Sequence, residues 1–258
     1  MQGTIIKDDE RYSFTENYLK EKGHSFCEPA APPGGLDFII FPFMGEVAAH
    51  TYDDGYFAGL KKSVRIFSGV YSPYLREVCG KYRLSYYVMA EDEAVKVKNA
   101  VATSEGVLAY LITKRSDTIA NSRVLIIGYG VCGRDLAKRL KGLGANAAAL
   151  VRNREKQAAA YADSVKPVYL DELFKEQGFP FDIVINTVPA TVFTNEMTAK
   201  TGGALLIDIA SRPYGFDMDY AKTFNESSAL LSGIPGKYAK RRSGEILGEY
   251  IDSVLRKE

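Results

Sequence analysis

Between Arg123 and Ala145 the chain reads RVLIIGYGVCGRDLAKRLKGLGA, and no other stretch restricts the fold so tightly. An apolar run, Val124 to Ile127, leads into Gly128-Tyr129-Gly130-Val131-Cys132-Gly133 and then into a helical pattern carrying Leu136, Ala137 and Leu140. Glycines at this spacing arise by chance. The strand before them, the helix after them and a second strand, Asn146 to Val151, about twenty residues on supply the context the motif needs. In a dinucleotide site Gly128 permits the tight turn, Gly130 lets the backbone approach a pyrophosphate, and Gly133 lets the helix pack close to the strand. Tyr129, Val131 and Cys132 complete the loop, whose helix amides and dipole favour phosphate charge. The plainer alternative is a tight strand-to-helix turn with no ligand. For Cys132, a small residue that suits the turn is the plainer reading than a thiol activated by the helix start.

The end of the second strand decides which dinucleotide. NAD sites usually carry an acid there for the ribose hydroxyls, and this chain has Val151-Arg152-Asn153-Arg154. Arg152 can pair with a 2′-phosphate bidentately and Arg154 adds a second positive charge, so NADP is favoured. If both arginines are merely solvated and Asn153 caps the next helix, NAD stays open.

Short apolar runs alternate with helix-like stretches through all 258 residues. That alternation is the signature of parallel α/β sheets. Strands are expected at 3–6, 36–43, 64–68 and 84–89, with helices at 10–22 and 73–82, an extended segment at 95–101, and Thr103-Ser104-Glu105-Gly106 as a hinge into a further helix. Beyond it, strands are expected at 123–127, 146–151, 181–186 and 204–209, and a last amphipathic helix at 243–256. The fold class is α/β: two doubly wound parallel-sheet domains, the second a Rossmann dinucleotide-binding domain, with a C-terminal helix crossing back. The expected boundaries are 1–102, flavodoxin-like, 103–236, Rossmann, and 237–258 for the return helix.

Composition removes several function classes. With 33 Lys+Arg against 32 Asp+Glu there is no cationic excess for general nucleic-acid or membrane-surface binding. No apolar run approaches the roughly 18 residues of a membrane span, and the amino terminus lacks a signal-peptide core, which points to a soluble, cytoplasmic protein. Cys27, Cys79 and Cys132 are odd in number and widely spaced, so neither a disulfide framework nor a zinc ribbon is expected. The two histidines, His24 and His50, fall early and read as surface or turn residues, which leaves no multi-histidine metal site.

Further segments, Ile185-Asn186-Thr187-Val188-Pro189, Leu206-Ile207-Asp208-Ile209-Ala210-Ser211-Arg212-Pro213 and Ser232-Gly233-Ile234-Pro235-Gly236, follow the glycine loop in order. Together they resemble the A-subunit family of dipicolinate synthase, which is related to the NAD-binding domains of D-isomer 2-hydroxyacid dehydrogenases. Phe67-Ser68-Gly69-Val70 and the stretch 99–106 are similar to that family too. The chain departs from it at Lys7-Asp8-Asp9, at Ser232 and at Lys240-Arg241-Arg242, and is contracted near its start.

The resemblance implies oxidation of dihydrodipicolinate, or its hydrated precursor, to dipicolinate with a nicotinamide accepting hydride. It also implies a partner, the flavoprotein-like B subunit of dipicolinate synthase; a homo-oligomer is open as well. The shortage of histidine suits this reaction, because aromatisation drives it, whereas a hydroxyacid dehydrogenase needs a positioned base, generally a histidine. The site is expected in the cleft between the domains. A dicarboxylate calls for cationic groups: Arg212 first, which can alternatively pair with Asp208 or Asp217, then Lys237, Arg241 and Arg242. Asn186, Thr187, Pro189 and Asp208 are grouped with the cofactor contacts, Ser68, Gly69 and Thr103 with the substrate, and Glu105 is a candidate proton acceptor. A different oxidoreductase of this fold, or a nucleotide-binding regulatory protein without catalysis, remains an alternative.

Overall fold

Apolar runs without alternation form strands here because their residues are buried on both faces, as all-parallel sheets require. The computed structural model describes residues 1–29, 33–42, 52–175 and 178–257. The chain divides into two compact units, Met1–Asn99 with Ala239–Glu258, and Ala100–Tyr238. In the first unit β1 (Gln2–Ile5), β2 (Ser25–Phe26), β3 (Phe38–Phe41), β4 (Arg65–Ser68) and β5 (Ser85–Val88) form one sheet in the order β2-β1-β3-β4-β5. All its pairings are parallel, and β3 is completely buried. The second unit contains β6 (Arg123–Ile127), β7 (Asn146–Leu150), β8 (Lys166–Val168), β9 (Ile183–Asn186), β10 (Leu205–Asp208) and β11 (Ala229–Leu230). Their order is β11-β10-β9-β6-β7-β8, again all parallel. This is the doubly wound dinucleotide-binding order, with its switch point between β6 and β9.

Three strands escape the sequence. β2, β8 and β11 are two or three residues long and sit at sheet edges, where neighbours rather than an apolar pattern define them. Pro167 is tolerated in β8 because an edge strand needs fewer ladder donors.

The stretch expected to be extended at 95–101, with a hinge at Thr103–Gly106, is one helix running Glu93–Lys114. Val95, Val97 and Val101 favour strand weakly, and tertiary burial of Val95, Ala100, Ser104, Val107 and Leu111 overrides that preference. Gly106 is not a turn residue. A Cβ there would lie 2.1 Å from Ile234 Cγ2 and 2.8 Å from the Tyr238 ring, so glycine lets the short helix Ile234–Tyr238 approach. The last helix is longer than expected, Lys240–Leu255, and Lys240-Arg241-Arg242 form its first turn instead of a loop. Arg241 pairs with Glu245 and Arg242 with Glu245 and Glu249, which suits helical spacing.

That last helix packs on the helix Arg11–Glu21 through small residues. A Cβ at Gly244 would stand 2.3 Å from the Arg11 carbonyl oxygen, and one at Gly248 2.6 Å from the Tyr18 ring. Thr15 Oγ1 donates to the Gly244 carbonyl at 2.9 Å. His24 pairs with Asp252 at 2.8 Å and is buried, not a surface residue, while His50 lies outside the described residues. Arg65 donates to the carbonyls of Val254, Leu255 and Lys257, closing the helix terminus. No helix among the described residues is long and apolar enough to cross a membrane.

The close helix crossing is testable. Gly244→Ala forces the Arg11 backbone to move, at a cost of about 1–3 kcal/mol. Thermal unfolding followed by circular dichroism should show a midpoint several degrees lower; an unchanged midpoint would mean that the helices do not need this approach.

Candidate dinucleotide site

The glycine loop joins β6 to the helix Val131–Gly142. Gly128 has φ +90°, the left-handed region, and a Cβ there would meet Val188 Cγ1 at 2.4 Å and Thr187 Oγ1 at 2.9 Å. Gly133 lies against the loop itself: its Cβ would fall 2.3 Å from the Gly128 carbonyl oxygen. Gly130 differs from both, since a Cβ there meets nothing within 4 Å. It is the N-cap of the helix and has no side chain capping it, and the amides of Val131, Cys132 and Gly133 have no acceptor among the described residues. Open space above a helix start with three free donors fits a pyrophosphate. Two glycines are required by the protein's own packing and the third leaves room.

Neighbouring strand ends are stitched to this loop. Thr187 Oγ1 and the Thr187 amide both donate to the Ile127 carbonyl, at 2.8 and 3.0 Å. Asn186 Nδ2 donates to Asp208 Oδ1 at 3.0 Å and to the Val188 carbonyl at 2.9 Å. Asp208 accepts further hydrogen bonds from the amides of Gly215 at 2.6 Å and Ala210 at 2.9 Å. Burial pushes the Asp208 carboxyl above its usual range, against the pull of these three donors. Asp208 and Asn186 are fully buried, so their side chains organise the loops. Pro189 is exposed beside them.

Asp208 is therefore no partner for Arg212, and Asp217 is engaged in capping the helix Met218–Lys222 through the Tyr220 amide. Arg212 is exposed, with its guanidinium 5.7 Å from the Tyr214 ring centre and its Nε 3.4 Å from the Tyr214 hydroxyl. The bond between Arg212 and Pro213 is cis.

At the end of β7, Asn153 caps the helix Arg154–Ala162 by accepting the Lys156 amide at 2.9 Å. Arg152 and Arg154 are exposed and have no ion pair among the described residues. Tyr129 is buried, and its hydroxyl donates to Asp163 at 2.9 Å; Arg134 grips the same carboxylate at 2.5 and 2.9 Å. Asp163 thus ties the glycine loop to the far end of the helix that Asn153 starts. Arg134 and Tyr129 hold its carboxyl below the ordinary range. No sequence pattern marks Asp163, because its partners lie 29 and 34 positions away. The Cys132 thiol is pushed up by burial, with Asp135 adding to the effect, so it is not activated.

The remaining candidates lie on other elements. Glu105 is exposed in the middle of its helix, 3.4 Å from Arg139, which also pairs with Asp135; the hinge that made it a candidate base does not exist. Thr103 is half-buried in the same helix, and Lys237 is exposed at the end of the helix Ile234–Tyr238. Ser68, Gly69 and Arg241 belong to the first unit. No group of three or more metal-ligating side chains occurs among the described residues.

Residues 95–205 match the model of the D-isomer specific 2-hydroxyacid dehydrogenase NAD binding domain. The glycine loop and the strands β6, β7 and β9 lie inside this matched segment. Over 194 residues the chain is 31% identical to the A subunit of dipicolinate synthase from Bacillus subtilis (strain 168), an alignment covering 74% of this chain and 64%, just under two thirds, of that relative's length. The crystal structure of the A subunit of Bacillus halodurans dipicolinate synthase superposes with a TM-score of 0.91 at 22% identity, covering 100% of this chain and 98% of that one. Its Bacillus subtilis counterpart gives 0.87 at 25% identity, covering 99% and 95%. The likeness of fold extends over the whole chain, and the likeness of sequence over 74% of it.

The glycines separate ligand binding from folding. Gly130→Ala should leave the unfolding midpoint of the ligand-free protein within about 1–2 °C, because the added methyl meets nothing, yet weaken dinucleotide binding at least about tenfold by filling the approach. Gly133→Ala should lower the midpoint even without ligand. Calorimetric titration and thermal melts on both variants check this; a Gly130→Ala protein that binds normally removes the loop from the site.

Proposed function

With the A subunit of dipicolinate synthase for a relative of this chain, we propose that the protein oxidises dihydrodipicolinate, or its hydrated precursor with loss of water, to dipicolinate, with NADP favoured over NAD as hydride acceptor. The observation that carries this reading is the open cradle over Gly130 beside unpaired helix amides, in a chain 31% identical to that relative.

When bound, the nicotinamide supplies the hydride-accepting carbon. The protein's own residues bind and orient. The amides of Val131, Cys132 and Gly133 take the pyrophosphate, and Arg152 and Arg154 take the 2′-phosphate, with Asn153 fixing the helix start between them. Thr187 and Pro189, in the loop after β9, are proposed for the nicotinamide ribose. Arg212 is the proposed fork for a substrate carboxylate, beside Tyr214 and with no competing acid among the described residues, and Lys237 is a second cation. Gly69, in the loop that follows Ser68, is proposed for the other carboxylate. Arg241 is a weaker choice, since Glu245 already opposes its charge. The product is aromatic, so the ring proton needs little more than water or a weak acceptor. Following the relative's family, the flavoprotein-like B subunit of dipicolinate synthase is the proposed partner.

Purified protein, with and without that partner, is supplied with the product of a dihydrodipicolinate-forming enzyme and NADP or NAD, and dipicolinate is followed by ultraviolet absorbance. Formation of dipicolinate is expected; none with either cofactor, despite nucleotide binding, rejects the reaction. In the same assay Arg212→Ala should raise the Michaelis constant for the diacid about tenfold or more and leave that for the nucleotide nearly unchanged.

Arg152→Ala should weaken NADP by about tenfold while NAD affinity holds. An unaltered preference between the two would assign the 2′ position to other residues.

A further inference from the structure

Within the first unit, one half-buried phenol organises the loop that follows β4. The loop runs Gly69-Val70-Tyr71-Ser72 and enters the helix Pro73–Tyr82, which Ser72 caps through its hydroxyl. Tyr86, on β5, has its ring half-buried against the core beneath and its hydroxyl at two hydrogen bonds. It accepts the Ser72 amide at 3.0 Å and lies 2.7 Å from Ser68 Oγ. Ser68 Oγ in turn donates its single proton to the Val70 carbonyl at 2.7 Å. The proton between the two hydroxyls must therefore come from Tyr86. One chain of donors results: Ser72 amide to Tyr86, Tyr86 to Ser68, Ser68 to Val70.

The consequence lies in the peptide planes. The Gly69 carbonyl is held by the Ala90 amide at 3.0 Å, and the Val70 carbonyl by Ser68. In a trans peptide the N–H points opposite to the C=O. Pinning both carbonyls onto the protein thus turns the amides of Val70 and Tyr71 outward, and neither has an acceptor among the described residues. The Ser68 hydroxyl, committed to this chain of donors, is not itself available to a ligand.

We infer that Tyr86 is a positioning residue whose hydroxyl, acting through Ser68, holds the loop Gly69–Ser72 with its amides set to receive one carboxylate of the substrate. This rests on the reading that the chain binds a planar dicarboxylate, and it adds a residue that touches neither substrate nor cofactor. Removing the hydroxyl leaves the ring in place, frees Ser68 to turn, and lets the Val70 carbonyl and Tyr71 amide rotate.

The test uses the full chain with pyridine-2,6-dicarboxylate and NADP as probes in separate calorimetric titrations of wild type, Tyr86→Phe, Ser68→Ala and the double variant. Tyr86→Phe should weaken the diacid about tenfold and leave NADP unchanged. Ser68→Ala should do the same, and the double variant should lose no more than either, because both act along one chain of donors. Amide exchange at Tyr71 should quicken in each. Diacid binding unaltered in Tyr86→Phe, a parallel loss of diacid and nucleotide, additive losses, or a wild type that does not bind the diacid each overturns the inference. Turnover judges the underlying reading separately. With wild-type turnover, Tyr86→Phe should raise the Michaelis constant and spare kcat, and an unchanged constant removes Tyr86 alone; a wild type that makes no dipicolinate removes the reaction.

Discussion

Everything at the dinucleotide site depends on how closely Gly133 lies to the Gly128 carbonyl, where a single methyl would intrude to 2.3 Å. That approach brings the helix Val131–Gly142 down onto the end of β6 with its first amides free. A helix held farther away would need a side-chain cap, and its donors would be spent inside the protein. Free amides at a helix start cost stability in an empty protein and favour an anion when one arrives. The glycine spacing thus reflects two demands of different origin. Gly128 and Gly133 are dictated by contacts with Thr187, Val188 and the loop itself, and Gly130 by a space that no atom of the described residues fills.

The buried polar pair Asn186 and Asp208 extends this arrangement sideways. They end adjacent strands, β9 at the switch point and β10 beside it, and each would be expensive to bury alone. Together with the amides of Ala210 and Gly215 and the Val188 carbonyl they satisfy one another, so the loops after β9 and β10 are held as one edge with the glycine loop. Hydrogen-bonded loops at the carboxyl ends of parallel strands are where such sheets bind ligands.

The fold was legible because parallel strands advertise themselves as apolar runs, and β3, β6, β9 and β10 are the clearest of these. It was illegible where local preference and tertiary burial disagree. Val95 to Val101 reads as extended by side-chain type, yet it lies in a helix whose buried face repeats every three to four residues. Gly106 reads as a break and is instead a contact point, a distinction that needs the position of Ile234, 128 residues later. At the site, residue type and order located the loop, its helix and the strand ends. They gave no access to roles made by long-range partners. Asn186 and Asp208 sit at the site but face inward, Asp163 and Tyr86 carry no motif, and Glu105 lies mid-helix where a hinge is expected.

The arginines are distributed in a way that a sum of charges conceals. The second unit has seven: Arg115, Arg123, Arg134, Arg139, Arg152, Arg154 and Arg212. Arg123, Arg134 and Arg139 are paired with Asp182, Asp163, and Asp135 and Glu105, and Arg115 binds Ser122 and the Thr118 carbonyl. Arg152, Arg154 and Arg212 have no carboxylate within pairing distance among the described residues, and all three follow the carboxyl ends of strands, β7 for the first two and β10 for the third. A solvated surface arginine costs little, so lack of a partner alone means little. Their common placement is what matters: a protein with a formal net charge of +1 leaves these unpaired guanidinium groups at the sheet edge where the glycine loop also leaves free amides. Both features present positive potential to anionic groups, whether phosphate or carboxylate.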